Sequence, residues 1–290
     1  MDIAALLADG QGPIIADGAW GTQLALRGLG SDIPEAWNLT RPEQIAGVAA
    51  DYAAAGAQIV LTNTFGGSAV KLAKAKLEDH DAINRAGAKL SRQGVAGRAA
   101  VFASIGPTGE LLGLTSTLTE EQLREVFVAQ VRAILQGEPD GLVIETMADL
   151  TEAKLALQAA KSLTDLPVVV SMTYDEGARG PATMMGVTPQ AAAQQLTAAG
   201  ADLVGANCGR LSDETWRQVV ALTRNNTDRP VWAKANAGIP QLIRGQSVFP
   251  MGPEEFAQLG VSLVQAGATV VGGCCGTSPA HTAALVAALR

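Results

Sequence analysis

Eight short runs rich in Val, Ile, Leu and Ala recur along the chain, at residues 13–17, 58–63, 100–105, 141–145, 167–172, 202–207, 230–235 and 268–273. Most are continuously apolar rather than alternating, which is the pattern of parallel strands covered on both faces. The segments between them carry helix start signals, among them Thr119-Glu120-Glu121, Thr188-Pro189, Asp213-Glu214 and Pro253-Glu254-Glu255. A recurrent Ala-Gly-Ala, centred on Gly56, Gly200 and Gly267, reads as a helix-terminating glycine that feeds the next strand. Strand and helix therefore alternate throughout. Eight such units predict an α/β fold, a single (β/α)8 TIM barrel over residues 1–290 with its site at the C-terminal ends of the strands. A doubly wound open sheet would bury similar strands but would separate the first from the last.

The composition agrees with one domain. With 48% hydrophobic residues the chain can bury a large core, and no Ser-rich, Pro-rich or single-charge tract marks a linker. A net charge of −7 argues against a nucleic-acid partner, whose affinity rests on Lys and Arg. Residues 1–10 lack the basic start and long apolar core of a signal peptide, and no uncharged apolar stretch approaches the ~18 residues of a membrane span. The expectation is a cytoplasmic protein with no membrane partner, in a compartment that keeps thiols reduced.

The unusual residues fall at the ends of the expected strands: Asp17 on the first, Asn63 on the second, Glu145 on the fourth, Cys208 on the sixth, Asn236 on the seventh, and Cys274 with Cys275 on the eighth. Those three are all the cysteines of the chain. Adjacent cysteines do not readily bridge to each other, and an odd count argues against a disulfide framework, so metal ligation is the better reading. Three thiolates fill three corners of a tetrahedral Zn²⁺ site and leave the fourth for water or substrate. A metal carrying three soft, donating thiolates polarises water poorly but keeps a bound substrate thiolate electron-rich, so thiol alkylation suits it better than hydrolysis. The competing reading is that one or more are buried apolar cysteines.

Five motifs, in order, carry a resemblance: Asp17-Gly18-Ala19-Trp20-Gly21-Thr22, Thr62-Asn63-Thr64-Phe65, Gly205-Ala206-Asn207-Cys208, Asn236-Ala237-Gly238 and Gly272-Gly273-Cys274-Cys275-Gly276-Thr277. With them the chain resembles, over almost its whole length, the homocysteine S-methyltransferase family. That family includes the homocysteine-binding module of cobalamin-dependent methionine synthase and betaine–homocysteine methyltransferase. The resemblance implies one zinc ion per chain held by Cys208, Cys274 and Cys275, with the homocysteine sulfur as fourth ligand and methionine as product. It implies that Asp17 and Glu145 hold the amino group and backbone of homocysteine. It also implies that Asn236 stands near the metal, in the fourth position until substrate arrives. Gly18, Asn63 and Thr64 are further candidates for the substrate pocket, although a polar strand-end residue also suits the cap of the next helix. No protein nucleophile is required.

For the methyl donor two possibilities stand. A small onium compound would suit aromatic faces, and Trp20 and Trp37 are the candidates for that side of the site, against the reading that both are packing residues. A methylcorrinoid carried by a separate partner protein is the other. Ala235 stands where the family pattern has proline, which touches the rigidity of that loop rather than the ligands. The two histidines, His80 and His281, are too few for a histidine-built metal site, and His281 is expected in the first turn of the last helix. Two alternatives from other classes stand beside methyl transfer: a zinc-dependent hydrolase on the same barrel, disfavoured by the shortage of histidine, and a non-catalytic zinc- or thiol-binding subunit.

Overall fold

The structure is a computed structural model that describes residues 12–30, 33–110, 112, 116–243 and 246–290; the segment read above for a signal peptide lies outside them. All eight apolar runs are strands: β1 (Ile14–Ile15), β2 (Ile59–Leu61), β3 (Ala100–Ile105), β4 (Gly141–Met147), β5 (Val168–Met172), β6 (Leu203–Asn207), β7 (Val231–Ala235) and, after a short hairpin of β8 (Gln241–Ile243) and β9 (Gln246–Val248), β10 (Val270–Gly273). The barrel strands are parallel and follow the order β1, β10, β7, β6, β5, β4, β3, β2. The last gap closes between β1 and β2, where Ala16 bridges Ile59 in parallel and backbone hydrogen bonds run from Asp17 N to Ile59 O at 2.9 Å and from Gln58 N to Ile15 O at 2.7 Å. The result is a single (β/α)8 barrel. The hairpin between β7 and the next helix is a departure from the expected pattern: three-residue strands are too short to show a period.

Helices return the chain from the top of each strand to the bottom of the next, and their ends are where the capping residues stand. Thr119 caps the helix Glu120–Leu135 in a reciprocal capping box with Gln122, and Thr188 caps Pro189–Ala198 through the Ala191 amide. Ser212 rather than Asp213 caps the helix Asp213–Arg224. In the helix Pro279–Leu289, His281 closes a capping box with Ser278, and its other ring nitrogen lies 3.0 Å from the Met251 carbonyl. One ring nitrogen thereby serves the helix start and the other ties it to the loop at Met251. Gly56, Gly200 and Gly267 hold the left-handed backbone expected of helix-terminating glycines.

The barrel interior has two levels. Every second residue of the strands forms a separate buried apolar cluster: Ile14, Ala16, Ile59, Leu61, Ala100, Phe102, Val143, Val169, Leu203, Trp232 and Val270. The next residues of the same parity are Gly18, Asn63, Ser104, Glu145, Ser171, Lys234, Gly272 and, on β6, Gly205 followed by Asn207. An apolar plug therefore supports a polar floor at the C-terminal end, and this floor faces the site. Gly205 keeps the plug tight, because a Cβ there would lie 1.8 Å from the Trp232 carbonyl oxygen. No helix among the described residues is long and apolar enough to cross a membrane.

Candidate metal and substrate site

Cys208 follows β6 and Cys274 and Cys275 follow β10, with β7 between these strands in the sheet. The backbone of β7 fixes both sides: Cys208 N donates to Lys234 O at 3.1 Å, Cys274 N to Ala235 O at 2.6 Å, and Ala237 N to Cys275 O at 2.9 Å. Cys208 takes a positive φ of 61°, a strained conformation for a side-chain-bearing residue that turns it off the strand axis. The three Sγ atoms all lie within 4.8 Å of one another, and Cys208 Sγ is 3.9 Å from Cys275 Sγ. Tetrahedral zinc with Zn–S bonds of about 2.3 Å separates its sulfurs by about 3.8 Å, so the spacing fits.

Two further observations support a cation here. Three thiols this close share one negative charge among them: hydrogen bonds from Cys274 and Cys275 hold the Cys208 thiol far below its usual range, and giving those hydrogen bonds pushes the Cys274 and Cys275 thiols up. Full ionisation needs a metal. The second observation is Asn236, whose Nδ2 donates to the Gly209 carbonyl at 2.8 Å while its buried Oδ1 has no hydrogen-bond partner. Asn236 also bears on the Cys208 sulfur as a hydrogen-bonding neighbour. A buried amide oxygen left over on a side chain that neighbours Cys208 suits a fourth, exchangeable ligand.

Next to the cysteines opens a cavity of about 390 Å³, lined by all three of them and by Glu145, Lys234, Ser104, Asn63, Glu35, Phe65 and Trp20. Burial raises the Glu145 carboxyl to about 7, against the downward pull of the Lys234 ammonium. Ser104 Oγ donates to Glu145 Oε1, and Asn207 Nδ2 reaches Glu145 Oε2 at 3.4 Å. Asn207 is the clamp of this corner. Its Oδ1 accepts from Thr146 N at 2.8 Å and Ser171 Oγ at 2.7 Å, and its Nδ2 donates to Thr146 Oγ1 at 2.7 Å. It thus holds Thr146, at φ 62°, in the bulge that aims Glu145 into the barrel.

Asp17 is fully buried and accepts three hydrogen bonds: Oδ1 pairs with the Lys234 ammonium, and Oδ2 accepts from Trp20 Nε1 at 2.9 Å and Leu61 N at 2.8 Å. It lies behind the cavity wall, whereas Glu145 lies on it. Gly18 lines the cavity beside Thr277, whose Oγ1 would be 2.5 Å from a Cβ at that position. Asn63 also lines it, but its amide is spent on the Pro34 carbonyl and Asn38. Thr64 does not: its hydroxyl is buried between Thr62 Oγ1 and the Ser104 carbonyl, because it has the outward parity of its strand. Trp37 is likewise placed elsewhere, buried with Leu24, Leu29, Ile45 and Tyr52 under the Arg41 guanidinium. Of the two tryptophans only Trp20 reaches the cavity. The sequence marks Asn207 only as a motif member and gives no role to Lys234, Ser104 or Glu35; of these three, Lys234 carries a signal, a charge inside the apolar run Val231-Trp232-Ala233-Lys234-Ala235.

Comparisons with known proteins identify the family. The family model described as homocysteine S-methyltransferase matches residues 14–289. The methionine synthases of Mycobacterium tuberculosis and Mycobacterium leprae are each 30% identical to 95% of the chain, which spans about a quarter (24%) of their length. In structure, the homocysteine methyltransferase MmuM of Escherichia coli, in its metallated form, superposes with a TM-score of 0.82 over 99% of both chains at 23% identity, a likeness of fold. The chain belongs to the homocysteine S-methyltransferase family.

Proposed function

We propose that this protein moves a methyl group to the thiolate of homocysteine, giving methionine, at a zinc ion held by Cys208, Cys274 and Cys275. The observation that carries this reading is the cluster of three thiols within 4.8 Å of one another, opening on a cavity lined by Glu145 and Lys234. Zinc held by these three cysteines would supply the positive charge that lets a substrate thiol react as its thiolate, its proton leaving to solvent. The residues of the chain bind and orient. Asn236, whose buried Oδ1 is left without a hydrogen-bond partner, would hold the fourth position until substrate binds, and Glu145 receives the α-ammonium. The apolar plug below and the Cys208 and β10 turns beside it confine the sulfur to one line of approach for the donor. The acidified hydrolytic water of a zinc hydrolase has no matching histidine or carboxylate ligand in the cluster.

For the donor, the lining favours a small onium compound: the partly exposed Trp20 and Phe65 rings and the Glu35 carboxylate share the cavity with the cysteines. About 390 Å³ suits an amino acid with a small donor. The second reading, a methylcorrinoid brought by a separate protein, is supported by the name methionine synthase on relatives about four times as long. Zinc-loaded protein with homocysteine and each donor in turn, assayed for methionine, separates the two; no methionine from any donor, with zinc confirmed, refutes both.

A further inference from the structure

Lys234 is the one basic residue in the cavity lining. It stands on the polar floor, one position of the same parity above Trp232, and its side chain is 2% exposed. Burying an ammonium inside a barrel is costly unless it is paired, and Asp17 supplies the pairing. An ammonium nevertheless has three donors, and among the described residues Asp17 Oδ1 is the one acceptor bonded to it. Its further contact is the Trp232 ring, 5.9 Å from Nζ to the centroid. Asp17, meanwhile, already accepts three hydrogen bonds and is not part of the cavity lining, whereas Glu145 is.

We infer that Lys234 is the specificity-determining residue for the carboxylate of the acceptor, so that the floor reads a zwitterion: Lys234 takes the α-carboxylate and Glu145 the α-ammonium. This rests on the proposed methyl transfer to a thiol amino acid and assigns the two ends of that substrate to opposite charges. Asp17 becomes a positioning residue, holding the Lys234 ammonium and the Trp20 indole in place. A site that pairs a buried ammonium with a substrate carboxylate rejects an analogue lacking that group, because the ammonium is left with donors unsatisfied.

The test is binding, measured by calorimetry on zinc-loaded protein without a methyl donor. Homocysteine is compared with 3-mercaptopropylamine, which lacks the carboxylate, and with 4-mercaptobutanoate, which lacks the ammonium. Homocysteine should bind the wild-type protein at least ~10-fold more tightly than 3-mercaptopropylamine. Because Lys234→Met alone leaves Asp17 unpaired, the variant used is Lys234→Met with Asp17→Asn. There the preference over 3-mercaptopropylamine should fall to about 2-fold or less, while the preference over 4-mercaptobutanoate persists. Equal binding of homocysteine and 3-mercaptopropylamine by the wild type, or an unchanged ratio in a folded double variant, overturns the inference. Tight homocysteine binding without methionine formation from any donor would instead count against the proposed function and leave this assignment intact.

Discussion

Metal loading of the cysteine cluster should release two protons per zinc ion rather than three. In the metal-free protein the Cys208 thiol is held far below the ordinary range by hydrogen bonds from its two neighbours, so it is already ionised near neutral pH. The Cys274 and Cys275 thiols are pushed up by giving those hydrogen bonds and by burial, and remain protonated. Three independent thiols of pKa about 8.5 would all be protonated at about pH 6.5 and would release three. The charge of the cluster is the same before and after loading, one thiolate against three thiolates with a divalent ion, so Glu145 sees no change in net charge and adds no protons of its own. Calorimetry in two buffers of different ionisation enthalpy, or a weakly buffered solution with an indicator, counts them. Release of three protons would refute the shared charge, and substoichiometric zinc would refute the site itself.

Cys274→Ala should lower zinc content and methyl transfer together, measured by elemental analysis and methionine formation; full activity in the metal-poor variant would contradict the mechanism. Glu145→Gln should weaken homocysteine binding roughly 10- to 150-fold, the worth of a charge-assisted hydrogen bond. Burial raises the folded carboxyl to about 7, so the unliganded protein loses stability as the pH rises from the unfolded value of 4.5 through about 7, while affinity for the ammonium grows over the same rise. Glu145→Gln should flatten both trends, read by thermal melts and by binding across pH. Gly205→Ala, which sets a methyl 1.8 Å from the Trp232 carbonyl, should cost about 1–3 kcal/mol of stability and shift Cys208, so a denaturant melt and zinc affinity should fall in step.

The eight strands were legible because each is buried on both faces and so is apolar without interruption. The cysteines were legible because they interrupt that pattern at its ends. Parity explains much of the remainder: Asn63 and Thr64 are neighbours of similar polarity, yet one stands on the floor and the other is sealed between Thr62 and Ser104. Trp37 and Trp20 look alike as aromatic residues of one long segment, and only tertiary packing sends Trp37 into the cluster with Tyr52. The Asp17–Lys234 pair spans 217 positions and exists only because the barrel closes, so no local pattern announces it. Asn207 could be read as a motif residue but not as the clamp on Thr146, since the bulge it secures belongs to β4.

The mouth of this barrel is stitched from the two ends of the sequence. Gly273 N donates to the Asp17 carbonyl at 2.8 Å, Ala19 N to Thr277 Oγ1 at 3.0 Å and Gly276 N to Thr22 Oγ1 at 3.2 Å. During synthesis on the ribosome the first strand therefore waits, unpartnered on one side, for residues made some 250 positions later. Two of the three sulfurs arrive with that same late strand. A nascent chain interrupted before β10 cannot seal its seam and holds only one of the three clustered thiols, so the whole cluster exists only once translation has run through the last strand.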